Sequence, residues 1–74
     1  MNTYETSDLY LSAFLKANGM KLLDKKKVDG KFTFIFDDRY DRKKLIQAFF
    51  NNGLISITAF KNAIQDLKTM VFNV

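Results

Sequence analysis

Val28-Asp29-Gly30-Lys31-Phe32-Thr33-Phe34-Ile35-Phe36-Asp37 is the stretch that decides the fold. Asp29-Gly30 lies between two strand-like runs, Met20 to Lys27 and Lys31 to Asp37, and the favoured tight hairpin turn needs positive φ at both central residues. A two-stranded antiparallel ribbon is predicted. With only Asp29 and Gly30 in the loop, Val28 faces Lys31, Lys27 faces Phe32, Lys25 faces Phe34 and Leu23 faces Phe36. A one-residue bulge would instead set Phe32 opposite Lys26 and Phe36 opposite Leu22. Such a ribbon is marginal in water by itself, so its Phe32, Phe34 and Phe36 face needs a cover.

Outward from the ribbon the apolar period becomes helical. Upstream, Thr6-Ser7-Asp8 offers three N-cap candidates, and Leu9, Tyr10, Ala13, Phe14 and Ala17 recur at three- and four-residue spacing before Asn18-Gly19. This predicts a helix over about 7–18. Downstream, Asp37-Asp38 and Asp41 put negative charge at the start of a second helix beginning near 39–42, in a weak capping-box-like pattern. Its stripe is Leu45, Ile46, Ala48, Phe49 and Phe50, and Asn51-Asn52-Gly53 ends it. Leu54-Ile55-Ser56-Ile57 reads as a brief strand or an extended connector. Thr58 is the expected N-cap of a third helix, with Phe60, Ala63, Ile64, Leu67, Met70 and Val71 on one face and Lys61, Asn62, Gln65, Asp66 and Lys68 on the other. The fold class is α+β, a compact single domain over residues 1–74 in the order helix, antiparallel β-hairpin, helix, short extended segment, helix.

Composition narrows the chemistry. In 74 residues the chain is 47% hydrophobic and 27% charged, ordinary globular usage rather than that of a disordered segment. It has no cysteine and no histidine, which removes disulfides, thiolate nucleophiles, thiolate and imidazole metal ligands and the usual neutral-pH proton shuttle. No enzyme activity and no cofactor are expected. Met1 to Glu5 has neither the basic nor the apolar region of a signal peptide, and the apolar runs are too short to span a bilayer, so a cytoplasmic location and no membrane partner are expected.

Charge marks two candidate anion-binding segments on a chain of net charge +4. Lys21, Lys25, Lys26, Lys27 and Lys31 crowd around the hairpin against only Asp24 and Asp29, a local net charge of +3. Lysines interleaved with Phe would hold phosphates by charge and stack bases on rings. The plainer reading has the Phe face in the core, with lysine stems on its rim guarding an edge strand. Arg42, Lys43 and Lys44 sit at the first turn of the second helix, where the dipole disfavours cations. They form either an anion site with the exposed helical amides or a mixed-charge face in which Asp38 pairs with Arg42 and Asp41 with Lys44. Read as metal ligands, Asp37, Asp38 and Asp41 lack the spacing of a calcium loop and face three cations; capping is the better account. Tyr4, Tyr10 and Tyr40 have no neighbouring base and read as rim or core aromatics. Phe50, Ile55 and Phe72 fall beside the main stripes, which makes them candidates for a partner interface.

Tyr4-Glu5-Thr6-Ser7-Asp8-Leu9-Tyr10-Leu11-Ser12-Ala13-Phe14-Leu15, then Gly19-Met20-Lys21-Leu22-Leu23, and again Asn62-Ala63-Ile64-Gln65-Asp66-Leu67-Lys68, resemble an uncharacterised small-domain family of bacteria, bacteriophages and mobile elements. Thr58 stands where that family's pattern more often has an acidic cap. The resemblance spans nearly the whole chain, carries no functional residues with it, and implies a non-enzymatic binder. Two classes follow. The first binds nucleic acid, or a complex that handles it, through the basic surface. The alternative is a protein-protein module, or an inhibitor of a host defence complex, acting through aromatic and basic side chains. Crude balance between burial and chain entropy at this size is near zero, so a homodimer is also among the expectations.

Overall fold

The computed structural model describes residues 2–72, the side chain of Phe72 excepted. Its elements are β1 (Thr3–Thr6), α1 (Leu9–Ala17), β2 (Leu22–Val28), β3 (Lys31–Asp37), α2 (Arg42–Phe50) and α3 (Ile57–Phe72). The α+β class and the order helix, hairpin, helix, helix are as the sequence indicates. The ribbon is nevertheless one strand larger than expected. β1 pairs antiparallel with the outer side of β3, giving a three-stranded sheet in the order β1-β3-β2 with the Phe-rich strand at its centre. Thr3-Tyr4-Glu5-Thr6 gains its backbone partners only once Phe34 to Asp37 are in place, so nothing local marks it as a strand.

The hairpin closes through Asp29 and Gly30 alone, with φ of +51° and +82°. Both expected registers occur, one at each end. Near the turn Val28 pairs with Lys31, Lys27 with Phe32 and Lys25 with Phe34; farther on, a bulge between Leu22 and Asp24 sets Leu22 rather than Leu23 opposite Phe36. The bulge has a physical reason: Phe36 is fully buried, and without the slip exposed Leu23 would take the core-facing place of half-buried Leu22.

Phe34 and Phe36 are 2% and 0% exposed, beneath the helices, with Leu11, Ala13, Leu15, Met20, Ala63 and Leu67 completing the core. α1 is the central helix. Five consecutive residues, Leu11 to Leu15, are buried, because the helix meets α3, α2 and β1 on different sides. Ser12 is among them, and its hydroxyl is satisfied by donating to the Asp8 carbonyl at 2.8 Å. Asp8 caps α1, its carboxylate accepting from the Leu11 amide at 3.0 Å. The apolar stripe of α3 is buried or half-buried as predicted, while Lys61, Asn62, Gln65, Asp66 and Lys68 are exposed.

Two smaller expectations, on the caps of α3 and α2, are corrected, and one left between two alternatives is decided. The cap of α3 is Ser56, not Thr58: its hydroxyl accepts from the Ala59 amide at 3.2 Å and its carbonyl from the Phe60 amide at 3.0 Å. Leu54 to Ser56 is a connector and not a strand. Asp41 precedes α2 without a side-chain capping bond, because both carboxylate oxygens are taken by Arg39. Among the described residues no helix is long and apolar enough to cross a membrane.

Candidate nucleic-acid interface

Strand pairing distributes the hairpin lysines over both faces of the sheet. Cross-strand partners share a face, so Lys25 and Lys27 stand on the core side beside Phe34 and Phe32. Lys25 is half-buried along its stem, and the Lys27 ammonium lies 5.7 Å from the centre of the Phe32 ring, within cation-π range. β2 is an edge strand, and inward-pointing charges of this kind block its pairing with another sheet. Lys26 points to the opposite face, where its ammonium reaches Glu5 of β1 at 3.0 Å. Lys21, just before β2, is exposed, and its carbonyl accepts from the Asp37 amide.

With Phe34 and Phe36 in the core, only half-buried Phe32 retains an accessible ring. Phe32 lines an open cleft of about 360 Å³ between the start of α1, β3 and the C-terminal half of α3. Leu9, Phe34 and Val71 are its other apolar walls; Ser7, Lys31 and Lys68 are its polar ones. Ser7 also ties the β1–α1 link to the sheet through its hydroxyl, 2.9 Å from that of Thr33. The Lys27 ammonium over the Phe32 ring and the side chains of Lys31 and Lys68 along the cleft thereby bring three lysines to one place. Lys68 is the residue the sequence reading missed. It sits on the polar face of α3, and no local signal shows that this face ends at the mouth of the hairpin.

The second basic segment is divided. Arg42 donates to Asp38 from Nε at 3.1 Å and from Nη2 at 3.3 Å, and its guanidinium lies 4.5 Å from the Tyr4 ring centre. The expected Asp38–Arg42 pair is present. The expected Asp41–Lys44 pair is not: Asp41 takes a two-pronged grip from Arg39, at 2.9 and 2.7 Å, while Arg39 also donates to the Asn18 carbonyl at the end of α1. These are charge-assisted bonds of the strong, planar kind. The hydrogen bond from Arg42 holds the Asp38 carboxyl below the usual carboxylate range, and that from Arg39 does the same for Asp41; both guanidiniums are pushed up in return. Arg42 is thus committed to a clamp joining β1 to the start of α2, Arg39 ties the same segment to the end of α1, and of this basic segment only Lys43 and Lys44 stand exposed. Of the spare apolar residues, Phe50 is exposed and Ile55 is half-buried; the Phe72 side chain lies outside the described residues.

Residues 1–73 match the model of a family described as a domain of unknown function, DUF5659, and the chain belongs to that family. No curated protein and no solved structure matches it.

Proposed function

We propose that this chain is a non-enzymatic, cytoplasmic binding module for nucleic acid, of the accessory kind that its resemblance to small bacterial, bacteriophage and mobile-element domains suggests, and that it favours single strands. The observation that carries the reading is the grouping of Lys27, Lys31 and Lys68 around the Phe32 cleft. Lysines from two strands and a distant helix meet at the one ring of β3 that the core leaves accessible. A single strand offers what such a place can use: phosphates for the ammonium groups, and an unstacked base to lie against Phe32. A duplex offers the phosphates alone. β3 offers a stacking platform for one base, because Phe34 and Phe36 are already spent on the core.

The test is titration of labelled single- and double-stranded DNA and RNA between about 50 and 200 mM salt. Single-strand affinity that falls linearly on a log-log plot, and drops when Phe32 is replaced by Leu, supports the reading. No binding at the lowest salt rejects it, and equal binding of duplex and single strand rejects the role of the ring.

A further inference from the structure

The opposite end of α3 carries a surface of another character. Phe50, the last residue of α2, is 67% exposed, Leu54 in the connector is 99% exposed and Ile57, the first residue of α3, is 84% exposed. They belong to one corner, because the Gly53 amide donates back to the Ala48 carbonyl and a Cβ on Gly53 would lie 2.8 Å from that of Ala48. The chain thus leaves α2 in close contact with it, and Leu54 emerges beside the last turn. Behind the corner the rings are packed: Phe50 meets Phe49 edge-on at 5.1 Å, and Phe49 meets buried Phe14 at 5.5 Å. Phe50 therefore stands on a supported base, while Leu54 and Ile57 project freely beside it.

Charge decides what fits there. From Arg42 to Gln65 the sequence contains Arg42, Lys43, Lys44 and Lys61 and no aspartate or glutamate. Lys43 lies seven residues before Phe50, on the same side of α2, and Lys43, Lys44 and Lys61 are all exposed. Projecting apolar side chains on a corner whose two helices carry exposed lysines and no carboxylate over this stretch complement a surface that presents apolar side chains among carboxylates. A second copy of this chain is a poor occupant. It would bring the same cations against one another, and three side chains fall well short of the roughly 800 Å² per partner of a stable dimer. The patch does suit a short segment.

We propose that the α2–α3 corner, through Phe50, Leu54 and Ile57, docks an acidic amphipathic segment of a partner protein, with Lys43, Lys44 and Lys61 receiving its carboxylates. The corner and the Phe32 cleft lie at opposite ends of α3, so the two occupants do not compete.

The experiment uses three labelled synthetic helices: one with leucines at i, i+3, i+4 and i+7 on a glutamate-rich background, one with the glutamates changed to lysine, and one with the leucines changed to serine. The intact protein should bind the first and neither of the others. The double variant Leu54→Asp and Ile57→Asp should weaken that binding at least tenfold while keeping its melting temperature, since both side chains are solvent-exposed and an aspartate at position 57 suits the positive end of α3. Lys27, Lys31 and Lys68 changed together to Ala should leave helix binding unaltered. Equal binding of the lysine helix, undiminished binding by the double variant, or no binding of the glutamate helix each overturns the proposal. So does a concentration-dependent dimer that the double variant abolishes, which would make a second copy the occupant.

Discussion

The two ends of α3 offer a partner opposite things. At the Phe32 cleft the apolar surface is recessed and the charge stands at its edge; at the α2–α3 corner the apolar side chains project and the cations stand back. The difference follows from what each end is built on. The cleft rests on the central strand of the sheet and on α1, five of whose nine residues are buried. The corner rests on α2, a nine-residue helix with no fully buried side chain, held by Phe49 packing on Phe14 and by the Arg39 and Arg42 clamps. A rigid base positions a few polar contacts; a lightly packed one leaves apolar surface for a partner to complete.

The largest break in this comparison comes from reversing the charge of the cleft. Lys27→Glu, Lys31→Glu and Lys68→Glu together should lower single-strand affinity by two orders of magnitude or more at 100 mM salt and leave the corner's peptide binding unchanged. Replacing the same three with alanine should reduce the slope of log affinity against log salt by about 2, at roughly 0.7 per lost phosphate contact on a single strand. Filter binding across the salt series reads both. A variant with all three alanines and an unaltered slope would show that the cleft is not where phosphate is held.

How far the two ends were legible in the sequence differs for the same reason that they differ in structure. The cap at Asp8, the turn at Asp29-Gly30 and the α3 stripe are written in neighbouring residues, so spacing and side-chain chemistry suffice to find them. Phe50 was visible as surplus to its helix. Leu54 and Ile57 were not, because a connector and a capped start look alike until Ser56 is seen to take the cap that Thr58 would have held. The cleft was illegible: it needs Lys68 beside Lys31 and β1 beside β3, contacts between segments about thirty or more residues apart. The bulge at Leu22 to Asp24 was foreseen as an alternative register and not as the second half of a mixed one.

Next in size is a substitution that strikes the corner alone. A Cβ on Gly53 would come within 2.7 Å of the Ala48 carbonyl oxygen and 2.8 Å of the Ala48 Cβ, contacts that the backbone must move to relieve. Gly53→Ala should therefore destabilise the protein by about 1–3 kcal/mol, the usual range for forced overpacking. It should also weaken peptide binding at the corner more than nucleic-acid binding at the cleft. Chemical denaturation and the two binding titrations measure this; a neutral Gly53→Ala would mean that the connector is free to swing away from α2.

Acid should loosen the clamps that hold the start of α2. Asp38 and Asp41 are held below the ordinary carboxylate range by Arg42 and Arg39, so each binds a proton less readily folded than unfolded. Their contribution is complete above the unfolded value near 4 and is lost as pH falls through the lowered folded values. The guanidiniums, pushed further up, stay charged throughout. The melting temperature should fall below about pH 4, and by less in the Asp38→Asn, Asp41→Asn variant, which starts lower at pH 7. Identical acid profiles for variant and parent would show that the clamps add nothing to stability.

The smallest effect separates neighbours on one strand. Lys26 and Lys27 are adjacent in β2 but face opposite sides, Lys26 toward Glu5 and Lys27 over Phe32. The Lys26–Glu5 pair is nearly half exposed on both sides, and a surface pair of that kind contributes about 1 kcal/mol or less. Lys26→Ala should thus cost little stability and leave the salt slope of single-strand binding where it was. Lys27→Ala should reduce that slope by about 0.7, one contact's worth. Equal reductions from both would mean that the whole ribbon attracts the strand by its net charge, and the cleft would lose its distinction from the rest of the hairpin.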